Sequence, residues 1–97
     1  MHKYPMRSDA TAYRIIDGVA LVVGATEGKL LTLNDVGTFI WKQADGKLAL
    51  VEIVEKLCQD FDVDYPRAMQ DVEIFVKELE NKSMLVLSDC PMNIEER

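Results

Sequence analysis

Leu31-Thr-Leu-Asn-Asp-Val-Gly-Thr-Phe-Ile-Trp-Lys-Gln-Ala-Asp-Gly46 is the stretch on which the fold turns. Leu31 to Leu33 reads as the end of a strand. A helix follows at once, because Asn34 carries the side-chain oxygen an N-cap needs and Asp35 suits the positive end of a helix. Val36, Phe39 and Ile40 then share one helical face, with Trp41 on its flank, and Asp45-Gly46 ends the element. A strand running straight into a capped helix is a scaffold; nothing in the stretch carries chemistry.

Upstream, Tyr13 and Ile15 alternate with Arg14 and predict a strand over Ala12 to Ile16. Asp17-Gly18 is a two-residue hairpin signal, since both turn positions need positive φ. Val19 to Val23 is a nearly continuous apolar strand, Gly24 to Gly28 a turn, and Lys29 to Leu33 the third strand. The sheet is a meander with that third strand at an edge, where unpaired backbone groups are either blunted or used. Residues 1–10 are short and polar and are expected to be a flexible N-terminus.

Downstream, Leu50, Ile53, Val54, Leu57, Cys58 and Phe61 form an amphipathic stripe that predicts a helix over Ala49 to Asp60. Asp62 and Asp64 precede Tyr65-Pro66, where an aspartate caps and proline occupies the first turn of a helix to Asn81. Its core face is Ala68, Met69, Val72, Phe75, Val76 and Leu79. Met84 to Leu87 is a short terminal strand. The domain is expected over 11–88, with a polar tail at 89–97. The fold class is therefore α+β: a three-stranded antiparallel sheet, three helices and a short C-terminal strand, in winged helix-turn-helix outline.

Ninety-seven residues, 48% hydrophobic and 29% charged, describe one soluble domain. A chain of this size buries roughly 60–65% of its unfolded surface, enough for one modest core. No apolar run approaches the roughly 20 residues of a membrane span, and Met1 to Ala10 lacks a signal core. A cytoplasmic protein with no membrane partner is expected. Residues 1–33 hold four basic and three acidic groups, and the remainder seven and fourteen, so the net charge of −6 sits in the helical half. Such a half repels phosphate backbones.

The chemistry-bearing residues are few. Cys58 and Cys90 have no Cys-x-x-Cys or Cys/His company, and no disulfide between them is expected. Asp60, Asp62 and Asp64 mimic the start of a calcium loop, but Tyr65 and Asp71 stand where glycine and a bidentate glutamate are needed. His2 is the sole histidine and has no triad or zinc partners. Asp71, Glu73 and Glu78 lie on a solvated helix, which does not tune a carboxyl for catalysis. No catalytic residue, no metal and no cofactor is expected.

The ordered set of Leu33-Asn34, Gly37, Ile40-Trp41, Asp45-Gly46, Ile53, Leu57, Asp71-Val72, Phe75, Val76 and Leu79 resembles the PqqD family, across about Arg14 to Val86. That family comprises small proteins of pyrroloquinoline quinone synthesis and the related recognition domains for ribosomally made precursor peptides. The resemblance implies a non-catalytic adaptor that captures a leader peptide as an added strand and presents it to a radical S-adenosylmethionine enzyme. Strand addition has a physical basis: main-chain hydrogen bonds give affinity and alternate side chains give specificity. Carried onto this chain, the peptide-binding residues are Lys29, Leu30, Leu31, Thr32 and Leu33 on the edge strand, with Asp71, Ile74, Phe75 and Glu78 on the third helix. Ile74 draws notice because it lies opposite the core stripe. A homodimer is compatible with the sequence.

The alternative is a winged-helix DNA-binding regulator, which needs a basic recognition helix. From Pro66 to Glu80, Arg67 and Lys77 face Asp71, Glu73, Glu78 and Glu80. Nucleic acid is disfavoured.

Overall fold

The computed structural model describes residues 3–9, 11–24 and 30–90. Its elements are β1 (Tyr4–Arg7), β2 (Ala12–Ile16), β3 (Val19–Val23), β4 (Leu30–Thr32), α1 (Asp35–Gln43), α2 (Leu50–Asp60), α3 (Tyr65–Asn81) and β5 (Leu85–Ser88). Strands β2, β3 and β4 form an antiparallel sheet in that order, so β4 is an edge; β1 and β5 form a separate ribbon. The β2–β3 hairpin turns through Asp17 and Gly18 at φ 55° and 81°, the left-handed pair that a two-residue turn requires. No described helix is long and apolar enough to cross a membrane.

The helices start where their caps dictate. Asn34 Oδ1 accepts from Gly37 N–H at 2.7 Å, and Asp64 Oδ1 from Arg67 N–H at 3.2 Å, with Pro66 in the first turn of α3. Glu52 reaches back to Ala49 N–H at 2.8 Å and opens α2. Of the aspartates before α3, Asp64 thus serves as the helix cap. Ile40, Trp41, Ile53, Val54, Leu57, Ala68, Val72, Val76 and Leu79 are buried against Ala20, Val22 and Leu33 of the sheet. Cys58 packs half-buried against this core, Cys90 is exposed, and both are free thiols.

Two features depart from the sequence reading. Residues 4–7, expected to be flexible, are β1, paired in register from Tyr4↔Ser88 to Arg7↔Leu85. On its other side, Pro5 C=O accepts from Gly46 N–H and Arg7 N–H donates to Ala44 C=O, both at 2.9 Å. Alternation therefore turns the backbone of Tyr4 and Met6 toward β5, so the N–H that Pro5 lacks is not one the β1–β5 ladder uses. The strand also serves both flanking helices. Lys3 C=O accepts from Leu50 N–H at 2.9 Å at the start of α2. The Arg7 guanidinium donates to Trp41 and Lys42 carbonyls at 2.8 and 3.2 Å, where the end of α1 favours a cation. Lys3 Nζ meets Asp89 at 2.5 Å, and its hydrogen bond and then its charge hold the Asp89 carboxyl below its ordinary range.

The second departure is the buried face of α1. Gly37 and Thr38 are buried with Ile40 and Trp41, whereas Val36 and Phe39 are only partly so. Phe39 instead meets Phe61 edge-on, with ring centres 5.5 Å apart. Thr38 splices α1 into the sheet. Leu33 N–H donates to Ala20 C=O at 2.9 Å, but Ala20 N–H donates to Thr38 Oγ1 at 2.9 Å, and that hydroxyl reaches Leu33 C=O at 3.4 Å. A side-chain hydroxyl replaces one ladder bond, and β4 ends there. Thr38→Val should therefore cost about 1–3 kcal/mol by stranding the Ala20 N–H, while Thr38→Ser stays within about 1 kcal/mol of the parent. Urea denaturation reads both; equal midpoints for parent and Thr38→Val would show that the bridge contributes nothing.

Candidate functional site: an open sheet edge beside the third helix

The sheet register decides what β4 offers. The pairs Leu21↔Thr32, Val22↔Leu31 and Val23↔Leu30 lock it to β3. Leu33 bonds inward to Ala20, so alternation turns the Leu31 N–H and C=O inward as well and those of Leu30 and Thr32 outward. The Leu31 side chain packs half-buried against the core, while Leu30 and Thr32 are exposed. Leu30 is 60% exposed. Leu33 stands apart from the others: its side chain is buried and both its backbone groups are engaged. Lys29 lies outside the described residues.

On α3, Asp71, Ile74, Phe75 and Glu78 come together around a cleft of about 340 Å³, which Arg67 shares with Asn34, Val36, Gly37 and Ile40 of α1 and its cap. Ile74 is 58% exposed, far out for a large aliphatic side chain. Phe75 is half-buried on the cleft wall. A Cβ on Gly37 would stand 3.1 Å from the Phe75 ring, so glycine is what lets α1 and α3 approach here. Arg67 Nε bonds Asp71 Oδ1 at 3.3 Å, an exposed pair one helical turn apart. The α1 residues and Arg67 are not among the site residues expected from the sequence, although Asn34 adjoins the edge strand and Arg67 lies near Ile74 on α3. A second cleft, of about 430 Å³, lies on the opposite flank of α3, among Leu50, Glu73, Ile74, Val76, Lys77, Glu80 and Leu87. The described residues contain no group of three His, Cys, Asp or Glu placed to hold a metal ion.

These features define a class: a small winged-helix domain with an open sheet edge and a cleft of mixed polar and apolar lining beside its third helix. Residues 18–85 match the family described as coenzyme PQQ synthesis protein D, and the chain belongs to that PqqD family. No match is found among curated proteins. Among solved structures, TbiB1 in complex with the TbiA(beta) leader peptide is 30% identical, with a TM-score of 0.77 over 82% of this chain and 93% of that one. Lasso peptide synthetase B1 complexed with the leader peptide is 16% identical, with a TM-score of 0.76 over 86% of this chain and 98% of that one, and so shares the fold.

Proposed function

We propose that this protein is a non-catalytic adaptor that binds the leader segment of a ribosomally made precursor peptide and presents it to a modifying enzyme. The observation that carries the reading is the outward pair of backbone groups on Leu30 and Thr32, in a domain whose α3 flank holds a cleft with both apolar and charged walls. The leader adds antiparallel or parallel to β4 through these groups. Leu31 and Leu33 support the edge from the core side, and Asp71, Ile74, Phe75 and Glu78 wall the groove. Membership of the PqqD family and the leader-peptide complex of the 30%-identical TbiB1 support this assignment. Family membership is also the support for a radical S-adenosylmethionine enzyme as recipient; any iron–sulfur cluster would belong to that enzyme. The acidic face of α3 weighs against the DNA-binding alternative.

The test is amide exchange of the protein with leader peptides of precursors encoded beside its gene. Exchange should slow over residues 30–32 and along 71–79. Protection confined to residues 49–61, with none at the edge strand, would overturn strand addition.

A further inference from the structure

We infer that the groove selects leaders bearing a lysine or arginine, whose aliphatic stem lies on Ile74 and whose charged head meets Glu78. This rests on the adaptor reading above and adds the chemistry of the ligand to it. Three observations converge on a cation.

First, the positive features that could draw an anion into the cleft are already engaged. The start of α1 lines it, and a helix N-terminus ordinarily favours negative charge. Here Val36 N–H donates to Asp35 Oδ1 at 2.9 Å, Gly37 N–H to Asn34 Oδ1 at 2.7 Å, and Thr38 N–H to Asn34 C=O at 2.7 Å. The charge of Arg67, the cation of the cleft wall, is offset by Asp71, whose Oδ1 accepts from its Nε at 3.3 Å.

Second, an acid is left over. Among the described residues the Glu78 carboxylate has no ion-pair or hydrogen-bond partner, and it is exposed on the cleft rim. Described residues Leu30 to Thr32 of β4 add no charge in return.

Third, the spacing fits one kind of side chain. Ile74 and Glu78 are four residues apart on α3 and therefore stacked on one face. An exposed aliphatic patch followed by a carboxylate one turn on matches a side chain with an apolar stem and a cationic tip. A glutamate or aspartate on the leader would meet like charge there, and a short apolar residue would leave Glu78 facing the peptide unpaired. The apolar part of the wall, formed by Val36, Ile40 and Phe75, takes a neighbouring apolar side chain of the same strand face.

The experiment is a selection of random dodecapeptides on the intact protein, followed by titration of one recovered, fluorescein-labelled peptide and its Lys/Arg→Gln counterpart. Recovered sequences should be enriched in Lys or Arg two residues from an apolar residue. The Gln counterpart should bind about 3- to 10-fold more weakly, and Glu78→Gln should cost the parent peptide a similar factor while leaving the counterpart unaffected. Glu78→Lys should reverse the preference toward a Glu-bearing peptide, and Glu80→Gln, on the opposite flank of α3, should change neither. Peptides that slow exchange at residues 30–32 yet show no coupling to Glu78 would overturn this inference and leave the adaptor reading standing. Peptides that bind without protecting 30–32 would overturn both.

Discussion

Proline at Thr32 should cut leader binding by about 10- to 100-fold while leaving the denaturation midpoint close to that of the parent. The expectation follows from the parity of β4. Thr32 turns its N–H away from β3, so the sheet does not use the donor that proline removes. An added strand does use it, at about 0.5–1.5 kcal/mol for the bond, and the pyrrolidine ring also occupies the space where the incoming carbonyl would sit. Leu30→Pro should behave the same way, because residues two apart on a strand point their backbone groups alike. Leu31→Pro is the informative contrast. Its N–H faces Val22, and removing it should destabilise the sheet by about 2–3 kcal/mol. Titration of a leader peptide beside urea denaturation separates the two kinds of loss. If Thr32→Pro and Leu30→Pro both bind as tightly as the parent, the leader does not add to this edge.

The parts of the fold legible in the sequence are those governed by local chemistry. Strands β2 and β3 end where expected because Asp17-Gly18 leaves the hairpin a single tight turn. Helices α1 and α3 begin at Asn34 and Asp64 because those side chains satisfy the first free N–H groups. What escaped was long-range or polar. Strand β1 pairs with residues 78 to 84 positions away, and Pro5 argues against a strand unless one knows which side its nitrogen faces. Thr38 reads as a neutral helix residue, and only the packed structure shows its hydroxyl completing the β3–β4 ladder. On α3 the resemblance points to Asp71, Ile74, Phe75 and Glu78, but helical spacing splits Phe75 from Ile74, and that all four line a cleft open toward the α1 cap depends on the close approach at Gly37, which has no periodic signature.

Trp41→Ala should lower stability by about 3–5 kcal/mol, the largest single-residue effect expected in the core. Trp41 is fully buried, with its ring 5.4 Å from that of Tyr13 in an edge-to-face arrangement. For a domain of this size, total stability is about 5–15 kcal/mol, so the substitution removes a large fraction of it. Trp41→Phe should be much milder, at about 1–2 kcal/mol, because the indole Nε1–H has no acceptor among the described residues and losing it strands no partner there. Phe75→Ala offers the opposite contrast. Its ring is half-buried at the cleft, so it should cost about 1–2 kcal/mol of stability and weaken leader binding directly. The single tryptophan is its own reporter in the parent and in Phe75→Ala, while circular dichroism follows the two Trp41 variants. Trp41 also ties α1 to β2 through Tyr13 and to β1 through the Arg7 bond to its carbonyl, and α1 in turn holds β4 through Thr38. Loss of the indole should therefore weaken leader binding only to the extent that it depopulates the folded state. Stabilising Trp41→Ala with an osmolyte should then restore binding, whereas Thr32→Pro stays deficient under the same treatment. An unchanged midpoint for Trp41→Ala would place the indole outside the core and undo the register of α1.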